Sequence, residues 1–214
     1  MGIPVPCKYL LIAEALQQEG YSTHAVVANG AVGSEFGFDS GFDSFTETWK
    51  NPPKVAGSDP NGAENVTRLA SDVAERLPAD RPWFLWVHYL DPHSPYEPPP
   101  AFRDRFQGDE HFDGGPRVPI SRKPKQEMAG IGRSQVLDGE DRLAFYVARY
   151  DAEIAYVDFQ IGVLLDAMRS RGQLDQTLTA FTSDHGESLG EHEYYFGHGR
   201  LGFQTCLHVP LVLH

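Results

Sequence analysis

Apolar and polar positions follow two periods along this chain, and the switches between them mark its elements. Leu11, Ile12, Ala15 and Leu16 recur at helical spacing and stop at Gly20, a residue suited to the left-handed turn that ends a helix. Residues 24–28, His-Ala-Val-Val-Ala, read as a buried strand that runs out at Asn29-Gly30. Over residues 63–77, Val66, Leu69, Val73 and Leu77 fall on one helical face. The run Pro82-Trp-Phe-Leu-Trp-Val-His-Tyr-Leu90 is almost continuously apolar, as expected of a parallel strand covered on both faces. The longest helical pattern covers 143–171, with Ile154, Val157, Ile161, Leu164, Leu165 and Met168 as its apolar stripe, and ends at Gly172. Residues 177–182 then read as a buried strand, and 207–213 as one more.

Strands alternating with helices predict an α/β fold, a mainly parallel sheet flanked by helices. Between Arg103 and Asp141 the periodicity lapses into Gly, Pro and charge, so 103–141 is read as an inserted loop. A functional lid and a mobile insertion suit it equally. The echo of Gly37-Phe-Asp-Ser40 in Gly41-Phe-Asp-Ser44 is a local turn pattern and not a repeat architecture.

Composition narrows the function classes. At 214 residues, 41% hydrophobic and 22% charged, the chain has material for one core or most of a larger one. A net charge of −12 argues against a nucleic-acid partner, which needs clustered Lys and Arg. The densest basic run, Ser121-Arg-Lys-Pro-Lys125, is short and isolated, and reads as a solvated loop. Cys7 and Cys206 show no metal-ligand spacing, and two unpaired thiols are preferred over one disulfide. No apolar run has transmembrane length. The first seven residues are too short and proline-rich for a signal peptide, so the compartment stays open.

Two loops carry the candidate chemistry, and each follows a predicted strand. The first is Phe181-Thr-Ser-Asp-His-Gly-Glu-Ser-Leu-Gly-Glu-His-Glu-Tyr-Tyr-Phe-Gly-His-Gly199, which sets Asp184 and His185 side by side and returns with His198 between two glycines. A lone Asp-His pair is usually a polar turn. Three such groups in one glycine-punctuated loop at a strand end favour a site, since ligands of open α/β sheets bind at strand carboxyl ends. The second is Asp91-Pro-His-Ser-Pro-Tyr-Glu-Pro-Pro-Pro100, where proline density stiffens the backbone around His93. Asp184 and His185 are expected to converge at the carboxyl edge of the sheet, with His93 and His198 facing them.

The first loop resembles the metal-binding signature of the sulfatase family, within the alkaline-phosphatase-like superfamily: S-D-H-G-E-x-x-G-E-H…G-H-G. Trp86-Val-His-Tyr-Leu-Asp-Pro-His-Ser-Pro-Tyr96 is similar to that family's W-x-H-Y-x-D-P-H-x-P-Y, whose second histidine lies in the substrate pocket. Leu11-Ile-Ala-Glu-Ala-Leu16, Phe36–Phe45, Tyr150–Asp158 and Val209-Pro-Leu-Val212 resemble further blocks in family order.

The resemblance implies a metal-dependent hydrolase of small-molecule or glycan sulfate esters, working through a covalent intermediate. Asp184 and His185 would be ligands of one divalent cation, Ca²⁺ by resemblance, with Mn²⁺ or Zn²⁺ as alternatives suited to an imidazole. His93 and His198 would be catalytic, stabilising charge or protonating the leaving group. Glu187 and His192 are candidate additional ligands, read in preference as groups that brace the loop.

Two departures qualify this. The family begins with an Asp-Asp metal pair and a nucleophile, neither of which precedes the helix here. Cys7 is followed by Lys-Tyr-Leu and not by C-x-P-x-R, so it is not read as the nucleophile. Residues 1–214 are therefore expected to be a partial catalytic domain, cut at both ends and inactive alone. Phosphonate or phosphodiester hydrolases and phosphoethanolamine transferases of the superfamily are the alternative, as is a non-catalytic truncated domain. The two-metal branch spaces an Asp and a His four apart, whereas Asp91 and His93 are two apart, which argues against a second metal.

Overall fold

A short amphipathic helix, α1 (Ile12–Gln18), opens the ordered architecture of the computed structural model. The structure describes residues 9–54, 58–106, 115–121, 130–199 and 201–214. Cys7, residues 122–125 of the basic run, and 107–114 and 122–129 of the expected insertion lie outside them. The chain divides into two units, Met1–Asp91 with Val157–Gln173, and Pro92–Tyr156 with Leu174–His214.

In the first unit the Glu14 carboxylate accepts the Leu11 backbone N–H at 2.8 Å, satisfying one of the orphan donors at the start of α1. The helix stops at Gly20, whose φ of 86° requires the left-handed region. The Gly37–Ser44 echo packs directly on α1: a Cβ on Gly41 would lie 2.3 Å from the Glu14 nitrogen.

Among the described residues three parallel strands form the largest sheet, with β1 (Ser22–Val27) between β2 (Ser44–Glu47) and β3 (Trp83–His88). Ala25 sits opposite Phe45 on one side and Trp86 on the other. The central position explains the apolar run, since both faces of β1 are covered and Ala25, Val26 and Val27 are fully buried. The edge strand β3 is half-buried throughout, less covered than its sequence implies.

Helix α2 (Ala63–Ala74) buries Ala63, Val66, Ala70 and Val73 and packs on β1 and β3. It ends at Ala74, short of the expected Leu77, where Pro78 disfavours the α conformation.

The second unit holds α3 (Pro100–Arg103), a parallel pair β4 (Ile120–Ser121) and β5 (Ile131–Gly132), and most of the candidate chemistry. The long helix α4 (Leu143–Ser170) belongs to this unit up to Tyr156 and to the first unit from Val157. Its buried residues include Tyr146, Arg149, Glu153, Tyr156, Gln160, Leu164 and Met168, whereas Ile154 is exposed. The expected apolar stripe is buried at Leu164 and Met168 and corrected at Ile154, and the buried face also carries polar groups that a hydrophobicity pattern does not mark.

Strand β6 (Ala180–Thr182) pairs antiparallel with β9 (Leu211–Leu213). Neither strand is buried as the sequence suggested, Phe181 being 44% exposed. Among the described residues β6 has only this one strand partner, so its apolar side chains stay accessible. An antiparallel ribbon of β7 (Ser188–Leu189) and β8 (Tyr195–Gly197) follows, then α5 (Gln204–Leu207) where the start of a strand was expected. The core of this unit joins Tyr96, Val118, Ile131, Tyr146 and Phe196.

His24 in β1 is held between the Ser22 hydroxyl (Nε2, 2.9 Å) and the Ser44 hydroxyl (Nδ1, 2.7 Å). Burial holds its pKa below the ordinary histidine value; the Asp43 charge opposes that, and Arg81 and Arg76 reinforce it. A depressed histidine pKa adds stability above the unfolded value, near pH 6.5, that is lost as pH falls through the folded value. Ring-proton NMR of His24 should give a midpoint below about 6.5, and a midpoint above it would contradict this packing.

Candidate active site

Two loops of the second unit build the site. Ser183 follows the carboxyl end of β6, and its hydroxyl donates to the His185 carbonyl at 2.7 Å, closing a tight turn around Asp184. The Gly186 N–H donates to the Cys206 carbonyl at 2.8 Å. A Cβ on Gly186 would stand 2.1 Å from the Thr205 carbonyl oxygen. Only glycine allows this close approach of two backbones, and the approach fixes where His185 leaves the chain.

The three histidines marked by the sequence come together. The His185 and His198 rings stack, with centroids 3.9 Å apart and planes 20° apart. His93 meets His198 edge-on at 5.4 Å and 70°. In each ring Nδ1 faces a group that can only accept a hydrogen bond. His93 Nδ1 lies 2.8 Å from the Ser94 carbonyl, His185 Nδ1 lies 2.8 Å from the Gly186 carbonyl, and His198 Nδ1 lies 3.2 Å from the Glu187 carboxylate. An acceptor at Nδ1 requires the proton there, which leaves Nε2 of every neutral ring with a lone pair.

Asp184 follows the same logic. Its Oδ1 accepts the His185 backbone N–H at 3.0 Å, while Oδ2 lies 3.8 Å from His185 Nε2. The carboxylate is 75% exposed. One oxygen lone pair and one imidazole lone pair thus stand side by side, as adjacent ligands of a divalent cation must. The donor chemistry fits such an ion in part: among the described residues no group of three or more His, Cys, Asp or Glu converges.

Glu187 was expected to brace the loop, but the sequence did not reveal its partners. Its side chain is 6% exposed, and it braces His198, not the metal-side His185. Tyr96, in the loop that carries His93, donates to Glu187 Oε2 at 3.2 Å and is 2% exposed. Its Pro-Tyr setting in the quoted block was the available signal. The hydrogen bond to Glu187 raises the His198 pKa above the ordinary value, against burial; the Glu187 and Asp184 charges add to the rise. Burial raises the Tyr96 pKa strongly, and the Glu187 charge adds to it, so the phenol stays a donor. His192 stands apart from this cluster, stacked on Phe203 at 4.3 Å.

The backbone around the site is strained. Phe196 in β8 has φ 47°, and His192 and Glu193 have φ 58° and 59°. For a bulky residue such as Phe196 this region is costly, by about 1–3 kcal/mol. Its ring is held in place by Tyr96 at 5.7 Å and Tyr146 at 5.4 Å.

This architecture recurs in solved structures. The phosphonate monoester hydrolase of Agrobacterium radiobacter has a TM-score of 0.70, covering 98% of this chain and 53% of that one at 22% identity. A protein of the alkaline phosphatase superfamily from Vibrio parahaemolyticus gives 0.55, covering 96% of this chain and 41% of that one at 23% identity. The fold is thus the α/β class of the alkaline-phosphatase-like proteins.

The sequence profile of the Sulfatase family matches residues 3–214, and the chain belongs to the sulfatase family. An arylsulfatase of Clostridium perfringens is 30% identical over 132 residues, which is 61% of this chain and 27% of that relative. The matched region spans about a quarter of the length of such curated relatives.

The close approach at Gly186 can be tested directly. Gly186→Ala should lower stability by about 1–3 kcal/mol in urea denaturation, because a backbone carbonyl cannot swing aside as a side-chain tip can. Gly202→Ala is the control, since its Cβ would make ordinary contact with Leu207 at 3.7 Å. Equal midpoints for the two variants would contradict the described packing.

Proposed function

We propose that this chain contributes the metal-side and leaving-group-side chemistry of a hydrolase acting on sulfate monoesters. The observation that carries the reading is the gathering of three imidazoles, each anchored at Nδ1, beside the Asp184 carboxylate. Sulfatase membership and the arylsulfatase relative support the choice of a sulfate ester over other esters. The alcohol portion is taken to be a small molecule or a glycan.

Asp184 and His185 would hold one divalent cation through Oδ2 and Nε2. Such an ion, when bound, lowers the pKa of a nucleophile and neutralises charge on an ester oxygen. Ca²⁺ is the proposed ion on family grounds, with Mn²⁺ or Zn²⁺ favoured if His185 ligates directly.

The remaining roles fall to the chain's own side chains. His198 carries its Nδ1 proton toward Glu187, so its Nε2 is the nitrogen able to give a proton to a departing alkoxide or phenoxide. Its raised pKa keeps a larger protonated fraction near neutral pH, as a general acid requires. His93 is exposed, rests on a rigid proline-rich loop, and is suited to bind the sulfuryl oxygens as charge develops.

Two measurements test this reading. In calorimetric titration of the 214-residue chain, Asp184→Ala should weaken Ca²⁺ or Mn²⁺ binding by at least about tenfold. Unchanged affinity would remove Asp184 from the metal's ligands. In the native protein, His198→Ala should lower kcat on an aryl sulfate by about 10²–10⁴-fold. Faster cleavage of an aryl phosphodiester than of the aryl sulfate, or two metals per chain, would move the protein to the phosphonate and phosphodiester hydrolases.

A further inference from the structure

We propose that Glu187 is a positioning residue that fixes the tautomer and orientation of His198, with Tyr96 as the anchor that holds Glu187 in place. The proposal rests on the reading of His198 as the leaving-group acid and extends it to residues with no direct part in the chemistry.

The argument starts from the backbone. His198 lies between Gly197 and Gly199, and Gly199 adopts φ 81° with open space where a Cβ would be. A histidine flanked by glycines has unusually free backbone torsions, so its ring must be located by other contacts. The structure supplies these on every side. Tyr194 donates to the His198 carbonyl at 3.2 Å. The ring lies flat on His185 and edge-on to His93. Stacking sets the plane of the ring but does not choose between its two nitrogens.

Glu187 makes that choice. Its Oε1 and Oε2 lie 3.3 and 3.2 Å from His198 Nδ1, and an ionised carboxylate can only accept. The proton must sit on Nδ1, and Nε2 becomes the nitrogen that exchanges protons.

A carboxylate this deeply enclosed would be costly without donors, and Tyr96 supplies the second one at Oε2. Tyr96 is itself locked by its ring contacts with Tyr150 at 5.5 Å and Phe196 at 5.7 Å. The order of dependence therefore runs from the aromatic core to Tyr96, to Glu187, to the His198 ring. Glu187 is a poor candidate for a metal ligand or a general base, because both oxygens are already bonded and the side chain is almost closed to solvent.

Glu187→Gln gives a sharp test, because it preserves shape and inverts one donor. With Tyr96 still donating to the amide oxygen, the amide N–H₂ turns toward His198 Nδ1, and the neutral ring must move its proton to Nε2. Nitrogen-15 NMR of the ring at alkaline pH should report the Nδ1–H tautomer in the wild-type chain and Nε2–H in Glu187→Gln. His93 and His185, anchored on backbone carbonyls, should keep Nδ1–H in both and serve as internal controls.

In the native protein the same substitution should lower kcat on an aryl sulfate by about 10–100-fold with KM little changed. Tyr96→Phe should give a smaller loss in the same direction. A His198 ring that keeps Nδ1–H in Glu187→Gln, or one that carries Nε2–H in the wild type, overturns the proposal. A tautomer switch with unchanged kcat also overturns it. If His198→Ala then leaves kcat unchanged as well, the failure belongs to the catalytic reading of His198; if that variant is inactive, the failure is of positioning alone.

Discussion

The two site loops of the second unit are joined through one enclosed carboxylate. Glu187 takes the Tyr96 hydroxyl and the His198 ring as donors, and so ties the proline-rich loop to the glycine-rich one. Enclosing a charge without partners costs several kcal/mol, so once Glu187 is enclosed both donors have to be present and correctly aimed. The position of His93 follows, because it shares a short, stiff segment with Tyr96. The stacking of His185 on His198 follows too, because the turn through Gly186 and the Glu187 bond hold the two rings from opposite ends.

Packing beneath the site makes this arrangement affordable. Phe196 keeps an unfavourable backbone conformation, and the compensation is burial of its ring among Tyr96 and Tyr146. The same strand, β8, pairs Gly197 with Ser188 of β7 and leads directly into His198. A strained residue two positions from a candidate catalytic group is a recurring feature of sites that are preorganised by their surroundings. Here the strain and the site share the same aromatic core.

Much of this was legible in the sequence, for definite reasons. The continuous apolar runs of β1 and β3, the helical spacing of α2 and the length of α4 are marked patterns, and each element lies close to its expected position. The grouping of His93, His185 and His198 could be anticipated because each has a glycine or proline beside it, in a loop beyond a predicted strand. Strand β2 was not seen, since four residues carry too little pattern. The face of α4 was misjudged because Arg149, Glu153 and Gln160 are buried, and a hydropathy stripe cannot anticipate buried polar groups. The Tyr96–Glu187 bond was invisible for another reason. It joins residues far apart in sequence, and no local spacing encodes it.

The central claim is that both loops present imidazole nitrogens to one place, beside Asp184 and His185. Paramagnetic broadening measures this without any catalytic assay. Mn²⁺ added in substoichiometric amounts to the 214-residue chain should broaden the ring resonances of His185, His198 and His93 together, and Asp184→Ala should suppress the effect on all three. Broadening of His185 with sharp, unaffected His198 and His93 resonances would show that the loops do not share a site, and would contradict the account.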